Sequence, residues 1–100
     1  MTLDEFIATI PTDRAPDAPL LLQAMWHDAK GDWHRAHAIA QSVGDASGAW
    51  VHGYLHRKEG DIENAGYWYR QAGQPIATDS LEAEWRRIVL TLLEEREGAD

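Results

Sequence analysis

The sequence predicts an all-α fold, and three observations support that prediction. Glycine and proline divide the chain into stretches of helix length. Within those stretches, apolar residues recur every three or four positions, as on one face of a helix. The 100 residues are 44% apolar and 26% charged, a composition typical of one folded domain, here residues 1–100.

The first predicted helix is short. Thr2 and Glu5 have the spacing of a capping box, in which each side chain satisfies a backbone amide of the other. The apolar residues that follow share one helical face, and Pro11 ends the helix. Two further prolines make residues 12–19 an extended linker, so the second helix should begin near Ala18.

Two segments of the chain, 22–44 and 51–73, align at a constant offset of 29 residues. Their identities are His27 with His56, Gly31-Asp32 with Gly60-Asp61, Ala36 with Ala65, and Gly44 with Gly73. A glycine can take the left-handed conformation that ends one helix, and the following aspartate can cap the next. The pattern predicts two tandem antiparallel helical hairpins, at about residues 20–44 and 48–73.

The second of these hairpins resembles a tetratricopeptide repeat. The matching residues are Lys58-Glu59-Gly60-Asp61-Ile62-Glu63-Asn64-Ala65, Tyr69, Ala72, and Gly53 at the place of the first-helix glycine. In the first copy Gly31, Asp32 and Ala36 fit, whereas Ala24 replaces the first-helix glycine. The resemblance covers about half of the chain. It implies a tetratricopeptide-like solenoid fragment in which the first helix of each hairpin lines a concave surface.

A long C-terminal helix is predicted at about residues 79–97, capped by Thr78 or Asp79 and ending before Gly98. Its apolar face consists of Leu81, Trp85, Ile88, Val89, Leu92 and Leu93. Because the last repeat of a solenoid needs a cover, this helix is interpreted as a capping helix. Leu90 lies opposite that face and leaves an alternative, a structural subunit that dimerises through this helix. The protein is therefore expected to be a monomer or a homodimer.

Aromatic content suggests an interaction surface, since the chain has five Trp and three Tyr but one Phe. The resemblance implies that Met25, Trp50, Tyr54, Arg57 and Lys58 line the concave surface. Aromatic rings beside two cations suit a protein or peptide partner that carries a carboxylate. The predicted function is a non-enzymatic interaction module. In the alternative arrangement the last helix fills the groove, and Trp50 and Tyr54 belong to the core.

The histidines offer a second interpretation. His52 and His56, four residues apart on one helix, could bind a single ion, which would make the chain a small metal-binding protein or enzyme. Residues with weaker support as further ligands are Glu59, Asp28, His34 and His37. Because the repeat pattern places His56 at a helix-packing position, a packed, hydrogen-bonded histidine is favoured, and no cofactor is predicted.

Several classes of function are disfavoured by what the sequence lacks. It has no cysteine and no nucleophile or phosphate-binding motif, so we expect no enzyme. A net charge of −8 repels phosphate, which disfavours nucleic-acid binding. Acidic residues near the start and a longest apolar run of Pro19–Leu22 disfavour a membrane location, so a cytoplasmic protein is expected.

Overall fold

A computed structural model of the protein describes residues 1–97. Within that range the chain forms six α-helices and no strand, which confirms the predicted all-α class. The helices are α1 (Leu3–Thr9), α2 (Leu20–Ala29), α3 (Trp33–Ser42), α4 (Ala46–Glu59), α5 (Ile62–Ala72) and α6 (Leu81–Glu97). Among these residues, no helix combines the length and the apolar character that crossing a membrane requires.

The start of α1 has the predicted capping box. The Thr2 hydroxyl accepts a hydrogen bond from the Glu5 amide at 3.1 Å, and the Glu5 carboxylate accepts one from the Thr2 amide at 2.9 Å. Helix α2 begins at Leu20, two residues later than expected. Pro19 occupies its N-cap position, and a proline disfavours the helical conformation of the residue before it, here Ala18.

The turns inside the two hairpin segments form as predicted. Gly31 and Gly60 have φ angles of 86° and 93°, the left-handed conformation that lets a helix end within one residue. Directly after them, the carboxylate of Asp32 accepts a hydrogen bond from the α3 backbone, and that of Asp61 accepts one from the α5 backbone. Both aspartates are therefore N-caps.

At their ends the two aligned segments differ. Gly73 closes α5 with a φ of 69°, whereas Gly44 is outside the left-handed region. Helix α3 ends instead at an extended residue, Val43. Gly44 then lies in the short connection before Asp45, whose carboxylate caps α4 at the Gly48 amide. Although Gly44 and Gly73 align in the sequence, the helices before them, α3 and α5, end in different conformations.

Neighbouring helices pack on each other in sequence order. Helix α2 contacts α3, α3 contacts α4, and α4 contacts α5, while α6 returns to pack against α1, α2 and α4. The buried side chains include three tryptophans, Trp26, Trp50 and Trp85, and the fully buried ones Tyr69, Phe6, Leu22, Met25, Leu55, Ile88, Val51 and Val89. The core therefore lies between the α6 face and the helices that precede it.

Helix α6 begins later than predicted. Its N-cap is neither Thr78 nor Asp79, because the Ser80 hydroxyl accepts the hydrogen bond from the Ala83 amide, at 3.0 Å. The Asp79 carboxylate instead pairs with Arg87, at 2.5 Å, and this hydrogen bond holds the pKa of Asp79 below its usual range. The side chain that makes the local amide contact decides where the helix starts.

The apolar face of α6 is buried except at Leu81, the first of its six predicted residues, and it packs on α1, α2 and α4 rather than on α5, the last helix of the second hairpin segment. Its buried residues are Trp85, Ile88, Val89, Leu92 and Leu93. Leu81 and Leu90 remain exposed, at 36% and 44%. Because this face packs against α1, α2 and α4, the helix lies over the side where the groove was expected. The predicted end before Gly98 lies outside the described residues.

Candidate functional site

The residues predicted to form an exposed concave surface lie mostly under α6. Met25, Trp50 and Tyr54 are 0%, 7% and 2% exposed. Met25, Trp50 and Tyr54 therefore belong to the core, as the alternative interpretation expected of Trp50 and Tyr54, and they do not form an open aromatic surface. The reason is that the apolar stripe of α6 needs burial and finds it against these large side chains.

Arg57, one of the two predicted binding cations, is engaged inside the protein. It donates a hydrogen bond to the buried Glu84 carboxylate at 2.9 Å and another to the backbone carbonyl of Asp79. Glu84 also accepts from the Trp50 indole at 3.3 Å and from the Tyr69 hydroxyl at 2.6 Å. We call Glu84, Trp50, Arg57 and Tyr69 the Glu84 network. It satisfies a fully buried carboxylate of α6 with donors from two other helices, α4 and α5.

Lys58, the other predicted cation, also has a partner within the chain. Its ammonium group lies 2.8 Å from one oxygen of the buried Asp28 carboxylate, and the Tyr54 hydroxyl donates to the other at 2.8 Å. Burial, followed by the negative charge of Asp28, raises the pKa of Tyr54 well above its usual range. Asp28 is thus bound by α4 and is not available as a metal ligand.

On the opposite side of α4 the structure brings three histidines together. His52 and His56 are buried on α4, and the half-buried His37 on α3 faces them. The Nε2 atoms of His37 and His52 lie 2.9 Å apart, a hydrogen-bond distance. One ligand nitrogen from each of the three rings lies within 4.8 Å of the others. We call these three residues the histidine cluster.

Two tryptophans hold the rings of the histidine cluster in place. Trp33 stacks on His37, with ring centroids 4.8 Å apart and an angle of 9° between the planes. Trp68 stacks on His52 at 4.0 Å and 13°. The Trp33 indole also donates a hydrogen bond to a backbone carbonyl of α4, at 2.8 Å. The rings are therefore fixed from α3 and from α5, on both sides of the cluster.

Burial favours the neutral form of His37 and His52. The pKa of His52 is lowered from 6.5 to about 4, chiefly by desolvation and further by His37 and His56. The pKa of His37 is lowered as well, first by desolvation and then by His56. A neutral imidazole has one unprotonated nitrogen, whose lone pair can accept a hydrogen bond or bind a metal.

The sequence identified part of this cluster. It paired His52 with His56 through their spacing of four residues, and the structure places them together, 4.8 Å between ring centroids. It gave little support to His37, which the structure adds, whereas His34 is exposed. Glu59, named as a further candidate, contacts His56. The spacing of Trp33 and His37, one turn apart on α3, was the signal that could have identified His37.

Comparisons of the chain with protein-family models, with curated proteins and with solved structures found no match. The histidine cluster therefore has to be interpreted from its own geometry and chemistry.

Proposed function

We propose that this protein binds a divalent transition-metal ion at the histidine cluster. The observation that carries the proposal is the convergence of His37, His52 and His56, whose ligand nitrogens lie within 4.8 Å of one another. They come from two helices, α3 and α4, so a bound ion would link these helices directly. Three protein ligands leave one position of a tetrahedral zinc site for water or another small ligand.

The chemistry of the donors favours zinc, nickel or copper. Imidazole nitrogen suits these ions, whereas magnesium and calcium prefer oxygen ligands. Two ligands of a tetrahedral zinc ion are about 3.3 Å apart, given zinc–nitrogen bonds of about 2.0–2.1 Å. The 2.9 Å between His37 and His52 is close to that separation, so these two nitrogens need a shift of a few tenths of an ångström. The His56 nitrogen lies within 4.8 Å of them and has to move closer, by up to about 1.5 Å, to complete the site.

Packing supplies the competing explanation, because the same rings stack on tryptophans and hydrogen-bond to each other. The two explanations make different predictions for the free energy of unfolding. An ion that binds only the folded state stabilises it by about 2.7 kcal/mol at 100 times its dissociation constant. Histidines that only pack gain no such stabilisation from the ion.

A zinc titration of the metal-free protein tests the proposal. Competition with a chromophoric chelator should give one zinc ion per chain, and saturating zinc should raise the melting temperature by about 10 °C or more. His37→Gln should lose most of this affinity. His34→Gln is the matched control, because His34 is exposed on the same helix, one turn earlier, and should bind zinc as the wild type does. Absence of zinc binding, or equal losses in both variants, would contradict the proposal.

We also propose that the two hairpins are tetratricopeptide-like in arrangement. In support, Ala36 and Ala65 occupy equivalent buried positions, and the glycine turns and aspartate caps match. At Gly53 an added Cβ would lie 3.3 Å from the Tyr69 amide nitrogen, so α4 and α5 approach closely where the repeat motif has its glycine. Interhelical angles in an experimental structure test this arrangement against that of known repeats.

Partner binding is a second candidate function, with one observation in its favour. A pocket of about 430 Å³ is bordered by Tyr54 and Lys58 of the predicted surface and by Trp85 and Arg86 of α6. Asp28, the partner of Lys58, also lines the pocket, which leaves Arg86 as the cation for a ligand. The apolar wall and Arg86 complement a peptide with an apolar side chain beside an acidic one. Glu82, which lies 3.6 Å from Arg86 and is mostly exposed, is the acid that such a peptide would have to replace.

A phage-displayed library of random seven-residue peptides tests this second candidate. Wild-type protein should enrich peptides that pair an acidic with an apolar residue, and Arg86→Glu should lose that enrichment. Arg35→Glu is the control, since Arg35 is exposed on α3 and does not line the pocket. Peptide enrichment that is unchanged in Arg86→Glu would mean that the peptides bind at another surface.

Two further expectations from the sequence stay predictions: dimerisation through the exposed Leu90, and the lack of enzymatic activity.

A further inference from the structure

His56 is held at both ring nitrogens. Its Nδ1 lies 2.6 Å from the Glu59 carboxylate, one turn further along α4. Because an ionised carboxylate has no hydrogen to donate, Nδ1 must carry the proton of this contact. In the neutral ring, Nε2 is then the unprotonated nitrogen. Glu59 thereby determines which nitrogen of His56 can bind an ion.

A second contact, from a different helix, agrees with that assignment. The Asn64 side-chain nitrogen on α5 lies 3.3 Å from His56 Nε2. An amide NH₂ group can only donate, so Nε2 accepts this hydrogen bond and carries no proton. Two independent partners thus favour the same tautomer, with the lone pair on Nε2.

We infer that Glu59 is a positioning residue for a metal ion at the histidine cluster, acting through the Nδ1–H group of His56. The inference rests on the proposed function. A histidine ligand usually donates its second ring N–H to a carboxylate or carbonyl, which fixes the ring and increases the basicity of the ligating nitrogen. Glu59 is in the place of that carboxylate, three residues from His56 on the same helix.

The alternative is that Glu59 binds the ion itself. His56, Glu59 and Asp61 also place one ligand atom each within 4.8 Å. However, the 2.6 Å between His56 Nδ1 and Glu59 is shorter than the separation of about 3.3 Å expected for two zinc ligands. Asp61 is already used, because its carboxylate caps α5 at the Asn64 amide. This contact geometry favours a proton between His56 and Glu59, with the ion on the other side of the ring.

Two variants and two measurements test the inference. Glu59→Gln removes the charge from the contact, and zinc affinity by chelator competition should fall by about 10–100-fold. Asp61→Asn is the matched control, because asparagine caps a helix as well as aspartate does and the residue is not among the proposed ligands. It should leave zinc affinity unchanged. In the metal-free wild type, long-range ¹H–¹⁵N NMR should show His56 with its proton on Nδ1, and Glu59→Gln should weaken that preference.

The outcomes separate the inference from the proposed function. A wild type that binds no zinc contradicts the proposed function, whatever Glu59 does. The positioning role of Glu59 is wrong if Glu59→Gln binds zinc as tightly as the wild type, or if His56 of the wild type is protonated on Nε2. Neither result contradicts the proposed metal site. If Asp61→Asn abolishes binding and His37→Gln does not, the ion is held by the outer carboxylates, and both ideas are wrong. Urea denaturation of metal-free Glu59→Gln separates a loss of affinity from a loss of folding.

Discussion

Helix α4 carries two buried polar regions on opposite sides, and they are built in different ways. Toward α6 it presents Trp50 and Arg57, which join Tyr69 in donating to the Glu84 carboxylate. Toward α3 and α5 it presents His52 and His56, which both meet His37, and His52 also stacks on Trp68. The first region is an ionic network, whereas the second consists of packed aromatic and imidazole rings.

The difference lies in what remains available to a ligand. In the Glu84 network a charged acceptor is surrounded by donors, so its lone pairs are already used within the protein. In the histidine cluster the ring nitrogens have weaker partners: His37 and His52 share a single hydrogen bond at 2.9 Å, and His56 Nε2 meets the uncharged Asn64 amide at 3.3 Å. The comparison teaches that a buried polar group marks a candidate site when an ion can replace the uncharged partners of its lone pairs. Four predictions test this contrast.

The largest effect is expected at Glu84. Glu84→Ala removes the acceptor shared by three donors and leaves the Arg57 charge uncompensated, so the free energy of unfolding should fall by about 3–5 kcal/mol. Urea denaturation measures the change. Glu82→Ala, at a mostly exposed acid on the same helix, should cost less than about 0.5 kcal/mol. Similar losses in the two variants would show that Glu84 is not the centre of a buried network.

The histidine cluster should make stability depend on pH. Because the folded pKa of His52 is about 4 and the unfolded value is 6.5, the unfolded chain binds more protons between these pH values. The free energy of unfolding should therefore decrease as the pH falls from 6.5 to 4, by up to about 3 kcal/mol from this residue.

Urea denaturation of metal-free protein at pH 7, 6, 5 and 4 measures this dependence. His52→Phe retains a ring beside Trp68 but cannot titrate, so its pH dependence should be shallower than that of the wild type. The carboxyl groups are the same in both proteins and cancel in the difference. Parallel curves would mean that His52 is not held neutral by the fold.

A smaller effect is expected at Tyr54. Tyr54→Phe removes the hydroxyl that donates to the buried Asp28 carboxylate, so the free energy of unfolding should fall by about 1–2 kcal/mol. Tyr67→Phe is the matched control, because Tyr67 is 46% exposed and its hydroxyl loss should change stability little. Thermal or urea unfolding of both variants gives the comparison. If the free energy of unfolding of Tyr54→Phe equals that of the wild type, the Asp28 carboxylate is in contact with water and does not depend on the Tyr54 hydroxyl.

The smallest of the four concerns the start of α6, the helix that carries Glu84. Ser80→Ala should cost about 1 kcal/mol because the Ala83 amide loses its capping acceptor. Thr78→Ala should leave stability nearly unchanged. Calorimetric unfolding distinguishes the two variants. A loss at Thr78 in place of Ser80 would support the helix start that the sequence predicted and contradict the one observed.

Local features of this fold were predictable to within a few residues. The Thr2–Glu5 capping box, the left-handed glycines at 31 and 60 and the aspartate caps after them all form as expected. Each depends on hydrogen bonds between residues at most five positions apart, so a short stretch of sequence contains both partners. Where several neighbouring residues could cap a helix, the sequence did not decide between them: Ser80, and not Thr78 or Asp79, caps α6.

The candidate site was predictable only in part. His52 and His56 share a helix face by spacing alone, but His37 belongs to another helix and reaches them only through the packing of α3 on α4. The predicted partner surface grouped residues that do lie together, but it placed them in solvent, whereas Trp50 and Tyr54 are buried. Trp50 and Tyr54 do lie on one side of α4, and the sequence could not decide whether α6 or solvent covers them.

By itself, then, the sequence determined that this chain is helical, where most of its helices begin and end, and which residues share a face. The tertiary structure decided that α6 packs over α1, α2 and α4, that Glu84 and Asp28 are buried acceptors, and that three histidines meet. The physical reason is the distance along the chain between the residues that interact. Helix caps and turns are set by contacts within one turn of the chain, whereas burial and the meeting of side chains from different helices depend on how all of the apolar faces pack at once.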